Sequence, residues 1–227
     1  MGKTSMILKA KQQLKGIHIA FVNALLIASS KDTADAIQGI CWAIEDDLNT
    51  LAAPAQKALT EDPYNAFQIY LQSVIEDLNV ASIVVVIDEY EKLGVLIENG
   101  ILESDFLKHL RNMTSRIPEL HFAFSGLHTW EETFPQSDIK DIIVTSVGLL
   151  TLDSTKRFLA ASIADLPVEW DETAMERIFQ LTAGHPAISG LIGMCLIHAL
   201  NEQNTAIVTK IRLTVENVDA AIADGRV

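Results

Sequence analysis

Cysteine is nearly absent: Cys41 and Cys195 are the only two, too few and too scattered for a disulfide framework or a zinc site. Each sits among apolar residues, where a thiol reads as a small buried side chain. Basic residues are also short, with 17 Lys and Arg against 30 Asp and Glu and a net charge of −13. Broad binding to nucleic acid depends on neutralising phosphates, so it is not expected of this segment. No apolar run approaches the roughly 20 residues that a membrane-spanning helix needs. The amino terminus lacks the charged and apolar regions of a signal peptide, and Met6 stands where a myristoylation pattern requires Ser or Thr. These absences lead to the expectation of a cytoplasmic chain with no membrane segment. Internal repeats and low-complexity stretches are missing as well. What is present is enough apolar material, 49% of 227 residues, for one α/β domain and a small appendage.

Met1-Gly2-Lys3-Thr4-Ser5 has the form of the second half of a phosphate-binding loop, G-x-x-x-x-G-K-[ST], without its first glycine and the strand before it. In the complete motif, backbone N–H groups and a helix N-terminus surround the phosphates, where the helix dipole favours negative charge. Gly2, Lys3, Thr4 and Ser5 are thus candidate nucleotide-binding residues, with Lys3 reaching the β/γ-phosphates and Thr4 ligating Mg²⁺. The companion motif is Ile83-Val84-Val85-Val86-Ile87-Asp88-Glu89, an apolar strand ending in two acids. Asp88 would hold the metal's water shell and Glu89 would orient or deprotonate the attacking water. Gly-Lys-Thr-Ser alone arises often by chance, and many strands end in acids where they meet solvent. The two in this order carry the reading: ATP and Mg²⁺, bound at a site whose first half lies outside the sequence. Missing half its cradle, the chain is expected to bind ATP weakly.

Strand-like and helix-like runs alternate along the chain, which predicts a parallel sheet. The spacing predicts helices over Lys3–Leu14, Asp35–Leu51, Tyr64–Leu78 and Ser104–Ser115, with Ser104 as N-cap. Strands are predicted over Ile17–Leu26, Ile83–Ile87, Leu120–Ser125 and Ile142–Leu150. After Asp153 the pattern reads as entirely helical, over Ser154–Ala164, Asp171–Thr182, Pro186–Glu202 and Thr214–Ala223. A domain boundary is therefore placed near Leu152, between an α/β core (1–152) and a helical lid (153–227).

The run Asp88-Glu89-Tyr90-Glu91-Lys92-Leu93, the helix with Asp105-Phe106-Leu107 and Leu110-Arg111, the strand Phe122-Ala123-Phe124-Ser125-Gly126 with His128 and Glu131-Glu132, and Thr182-Ala183-Gly184-His185-Pro186 together resemble bacterial STAND-type signalling ATPases. These are relatives of the AAA+ and origin-recognition ATPases. The resemblance covers essentially the whole chain and implies a P-loop NTPase whose sheet lacks its first strand, followed by a helical lid. It implies ATP binding coupled to a conformational switch, with protein partners or fused sensor and effector modules. The implied strand order, 5-1-4-3-2, would leave Ile142–Leu150 displaced or unpaired and the chain prone to associate. The segment Thr133–Asp138 is short and polar where relatives are aromatic-rich, so a contact made there is not carried over.

Other positions follow from the resemblance. Ser125 falls where relatives place a polar sensor of the γ-phosphate, with His128 and Thr129 as neighbours; a small polar residue at a strand end is also a common turn former. His185 and Pro186 match an element set against the adenine base, although Gly before and Pro at the start of a helix are ordinary punctuation. Arg111, Arg116 and Arg157 stand in no motif and read as solvated helix-face charges. Glu45-Asp46-Asp47 reads as the exposed end of a helix. Two other readings stay open, a DNA-associated AAA+ module of the origin-recognition type and a nucleotide-free scaffold that has lost its phosphate loop.

Overall fold

The computed structural model describes residues 2–203, 211–223 and 225. It divides into two compact units, one of Lys3–Ile143 and one of Val144–Val227 with Met1–Gly2. The division falls ahead of the boundary expected near Leu152, because residues 134–151 form neither helix nor strand.

The first unit runs α1 (Lys3–Gln13), β1 (Ile17–Asn23), a 3₁₀ turn (Ala24–Ile27), α2 (Thr33–Leu48), α3 (Gln56–Glu61), α4 (Pro63–Leu78), β2 (Ser82–Asp88), α5 (Glu91–Glu98), α6 (Phe106–Arg116), β3 (Leu120–Ser125) and α7 (Trp130–Thr133). Its sheet has the order β1-β2-β3, with both pairings parallel. That is the 4-3-2 portion of the order the resemblance implies. Register places Asn23 opposite Asp88 and Asp88 opposite Ser125, so the three strands end level at their carboxyl side.

Local chemistry sets the ends of the helices. The Asp32 carboxylate accepts from Asp35 N–H to start α2, and Asp62 accepts from Asn65 N–H ahead of Pro63 to start α4. Both helices stop where an asparagine, Asn49 or Asn79, takes a left-handed conformation, which a short polar side chain tolerates. β1 is shorter than expected because the Asn23 side chain accepts from Leu25 N–H and turns the chain into the 3₁₀ segment. Ser104 is not the N-cap of α6; Asp105 occupies that position without a side-chain cap bond. Apolar faces of α2, α4 and α6, including Ile37, Ile40, Phe67, Leu71, Phe106 and Leu110, bury against Val22, Val85 and Ile87 of the sheet. Burying each such side chain is worth about 1.5–3 kcal/mol.

The predicted strand Ile142–Leu150 does not form. Ile139 and Ile142 pack against the first unit's core, whereas Ile143 and Val144 are 95% and 71% exposed. β-branched composition favours a strand only where another strand offers its edge. β3 pairs with β2 alone among the described residues.

The acidic run at the end of α2 also differs from expectation. Asp46 is exposed, but Glu45 is half-buried and accepts from Ala53 N–H. Asp47, also half-buried, accepts from Phe21 N–H of the edge strand β1 at 2.6 Å and from Lys11 Nζ at 2.5 Å. Asp47 thereby satisfies one outward amide of a free sheet edge and ties α1 to α2. Asp47→Ala is expected to lower stability by about 1 kcal/mol, toward the low end of the cost of orphaning an amide because Phe21 and Asp47 are only half-buried; urea unfolding checks it.

The second unit runs α8 (Leu152–Ser162), β4 (Val168–Trp170), α9 (Glu172–Thr182), α10 (Pro186–Gln203), β5 (Ile211–Leu213) and α11 (Val215–Ala223). It is not entirely helical, since β4 and β5 pair in parallel, Val168 opposite Ile211 and Trp170 opposite Leu213. Strands of three residues are too short to show a period of two. Leu159, Ile178, Ile192, Leu196, Leu213 and Val218 form its core.

Candidate functional site

The carboxyl ends of β2 and β3 and the first turn of α1 meet in the first unit. Thr4 Oγ1 donates to Asp88 Oδ2 at 2.6 Å across 84 positions of sequence. Asp88 is 3% exposed, at the end of a strand buried between two others, so its carboxylate is fixed by the sheet. Thr4 is exposed and Lys3 half-exposed. Gly2 has φ +94° and open space around its Cα, a conformation that favours glycine. Ser5 is exposed on α1.

No side chain of α1 is buried, and Met6, Leu8 and Leu14 are exposed. The helix is tied to the rest of the unit by a side-chain bond near each end, Thr4 to Asp88 and Lys11 to Asp47. Its position thus depends on polar contacts rather than on apolar packing. A hydroxyl that donates its proton to Asp88 keeps its lone pairs for a cation, so the pair suits a hard, oxygen-ligated ion such as Mg²⁺.

Glu89 follows Asp88 with φ +56°, in the left-handed region that costs a residue with a Cβ roughly 1–2 kcal/mol. Such strain persists where surrounding structure over-determines it, most often at functional sites. The kink throws Glu89 out of line with β2, where it stays half-exposed. Glu89→Gly is expected to leave stability unchanged or raise it by up to about 1 kcal/mol, since glycine relieves the strain but adds chain entropy. A denaturation midpoint clearly below that of the wild type would contradict this.

Ser125, opposite Asp88, is 8% exposed, and its hydroxyl has no hydrogen-bond partner among the described residues. A buried polar atom left unpaired calls for an explanation. The neighbouring loop is held from the acidic turn. Tyr90 N–H donates to the Ser125 carbonyl at 3.2 Å, and the Tyr90 hydroxyl donates to the His128 carbonyl at 2.7 Å. Glu91 Oε1 accepts from Leu127 N–H and, at 2.8 Å, from His128 N–H. Burial pushes the Tyr90 phenol above its ordinary range, so it stays a donor at neutral pH. Glu91 has no place in the sequence-based site; the only signal for it is an acid two positions past Glu89, and its partners lie far along the chain.

Of the other residues near that loop, Thr129 is committed to capping α7, accepting from Glu132 N–H while Glu132 accepts from Thr129 N–H. The His128 side chain is exposed and stands 3.8 Å from Glu132. Arg111 pairs with Asp141 at 2.8 Å, Arg116 donates to Gln68 and Arg157 pairs with Asp153, all at exposed positions. Glu103 and Asp105, both exposed, and the half-buried His109 form a trio within reach of one another, with the His109 ring stacked on Tyr64 at 3.7 Å. Cys41 is buried and burial pushes its thiol far up, which leaves it inert.

His185 and Pro186 belong to the second unit, where they join two helices. α9 ends at Thr182 and is followed by two left-handed residues, Ala183, φ +49°, and Gly184, φ +77°; His185 N–H donates to the Thr182 carbonyl, and Pro186 opens α10. The structure thus brings together Thr4, Asp88 and Ser125 with Lys3 and Glu89 adjacent in sequence, and gives His185 and Pro186 a part in a helix junction.

No family model matches the chain, and no curated protein does. Among solved structures it is similar to the RuvB Holliday junction branch migration motor of Thermotoga maritima, with 14% identity, a TM-score of 0.40, and 98% of this chain and 67% of that one covered. A variant of the same RuvB shows 13% identity and a TM-score of 0.44, covering 97% of this chain and 66% of that one. Neither value is high enough to carry an activity across. Among the described residues, no helix is long and apolar enough to cross a membrane.

Proposed function

We propose that Gly2, Lys3, Thr4 and Ser5 with Asp88 and Glu89 form the nucleotide site of an ATP-dependent signalling switch of the AAA+/STAND type. The observation that carries this reading is the 2.6 Å bond from Thr4 to Asp88, which joins the two motifs at the carboxyl ends of a parallel sheet, where α/β folds bind ligands. Bound Mg²⁺ would neutralise phosphate charge and orient the phosphates of ATP. Thr4 and Asp88 would hold it, Lys3 would pair with the phosphates, and Glu89 would take the proton of the attacking water. Ser125, with its unpaired hydroxyl beside Asp88, is a donor for the γ-phosphate. The switch role rests on the order of motifs from Asp88 to Pro186, and the partners it calls for are sensor and effector proteins or modules.

Calorimetric titration with Mg-ATP tests the site on this chain and on one in which a β-strand and glycine-rich turn precede Met1. The first carries only the Gly-Lys-Thr-Ser part of the phosphate-loop pattern and is expected to bind in the millimolar range. The second should bind about a thousandfold tighter, about 4 kcal/mol. No binding by the extended chain would overturn the reading in favour of a nucleotide-free scaffold.

A further inference from the structure

The loop after β3 is fastened almost entirely to the acidic turn after β2. Four bonds reach it from Tyr90 and Glu91: the Tyr90 amide to the Ser125 carbonyl, the Tyr90 hydroxyl to the His128 carbonyl, and the Glu91 carboxylate from the Leu127 and His128 amides. A Cβ at position 126 would run into that carboxylate, so Gly126 is what lets Glu91 lie flat against the loop. Charge-assisted bonds to backbone amides are the strong kind. Yet Glu91 uses only one oxygen for both amides, while Oε2 is shielded and without a partner among the described residues. A carboxylate half satisfied in this way is held less firmly than one with both oxygens engaged. Asp88 and Ser125, on either side of this fastening, are register partners at the strand ends.

We propose that Glu91 is a positioning residue that clasps the Gly126–His128 loop to the acidic turn, so that a nucleoside triphosphate engaging Thr4 and Asp88 also shifts Leu127 and His128. The inference rests on the nucleotide-site reading above. Displacement of Glu89 by a bound phosphate–metal pair passes through two peptide units to Glu91, and from its Oε1 directly to two loop amides. Tyr90, buried among Phe124, Trp130 and Phe134, serves as the fulcrum.

The test is a titration of the full chain with Mg-ATP into the millimolar range, followed by the amide resonances of Thr4, Asp88, Leu127 and His128. In the wild type all four are expected to move with one midpoint. In Glu91→Ala, Thr4 and Asp88 still titrate but Leu127 and His128 no longer follow, and their hydrogen exchange in the nucleotide-free chain rises about tenfold or more, the loss of a charge-assisted bond. Glu91→Gln, which keeps a carbonyl acceptor, restores part of the coupling. Should Glu91→Ala not fold, Glu91→Gln and Tyr90→Phe carry the test, each with reduced coupling expected. Wild-type loop amides that stay still while Thr4 and Asp88 titrate, or variants whose loop amides follow as in the wild type, overturn the clasp and leave the nucleotide site intact. If Thr4 and Asp88 do not respond to Mg-ATP in the wild type, the nucleotide site falls and the clasp's role falls with it.

Discussion

Asp88→Ala is expected to weaken magnesium-dependent nucleotide binding by about 100-fold or more, whereas Glu89→Gln, one residue on, keeps binding and loses hydrolysis. Asp88 is 3% exposed and its carboxylate accepts the Thr4 hydroxyl at 2.6 Å. Its removal would take away the charge that the proposed Mg²⁺ site depends on, and it takes away one of the side-chain bonds that hold α1. A partner that orients a metal ligand is worth about 10–100-fold in affinity, and loss of the helix tie adds to that. Glu89, by contrast, lies outside the buried strand in a left-handed conformation, with no bond to Thr4. Its amide replacement can occupy the same space but cannot take a proton, and general-base catalysis contributes typically 10²–10⁴-fold, so a fall of about that size in turnover is expected. The measurement is steady-state ATP hydrolysis alongside equilibrium binding, in the chain preceded by a strand and glycine-rich turn. Equal hydrolysis by the wild type and Glu89→Gln would remove Glu89 from the chemistry. Unchanged Mg-ATP affinity in Asp88→Ala would remove the metal site altogether.

Much of the first unit was legible because its elements are long enough to show their periods. β3 occupies the residues the apolar pattern marks, Leu120–Ser125, and β2 extends the marked run by a residue at each end, to Ser82–Asp88. α4 begins at the Asp62-Pro63 signal, since the carboxylate and the pre-set φ of proline act locally. Elements that escape the sequence are short or depend on distant partners. α3 and α5 span 6 and 8 residues, and β4 and β5 span 3 each, too few to establish a period. Ile142–Leu150 is the reverse case, a segment with strand composition and no strand. Pairing is a property of two edges, and only one is visible in a run of β-branched residues.

The site divides in the same way. Thr4 and Asp88 could be named because each sits in a local motif, although nothing in either motif measures the distance between them. Asp47 looked like a solvated charge because its partners, Lys11 and Phe21, stand 36 and 26 positions away. Glu91 was hidden for a related reason, since its amides belong to a loop 36 and 37 positions on. Side chain–backbone bonds to remote amides leave no spacing signature, because any residue can supply the amide. Gly126 and Gly184 are the trace such contacts leave in sequence, as glycines where a backbone or carboxylate passes too close for a Cβ.

Gly184→Ala is expected to unfold the second unit or destabilise it by about 3–5 kcal/mol, at the upper end of what single substitutions do. Its φ of +77° already disfavours a side chain, and an added Cβ would fall on the Leu150 carbonyl oxygen. The obstacle is backbone, which no rotamer change can clear. Moving it would break the bond from Leu150 N–H to the Gly184 carbonyl at 2.9 Å, which seats the segment before α8 against the turn between α9 and α10. The neighbouring position behaves in the opposite sense. Ala183 is left-handed too, at φ +49°, but already carries its Cβ. Ala183→Gly is therefore expected to be neutral or to stabilise by up to about 1 kcal/mol. Because the two units can open separately, hydrogen exchange resolved by residue is the measurement, with amides of α9 and α10 losing protection in Gly184→Ala while β2 and β3 keep theirs. Protection in α9 and α10 within about 1 kcal/mol of the wild type would mean that the turn yields without cost, and that the glycine there is incidental to the helix junction.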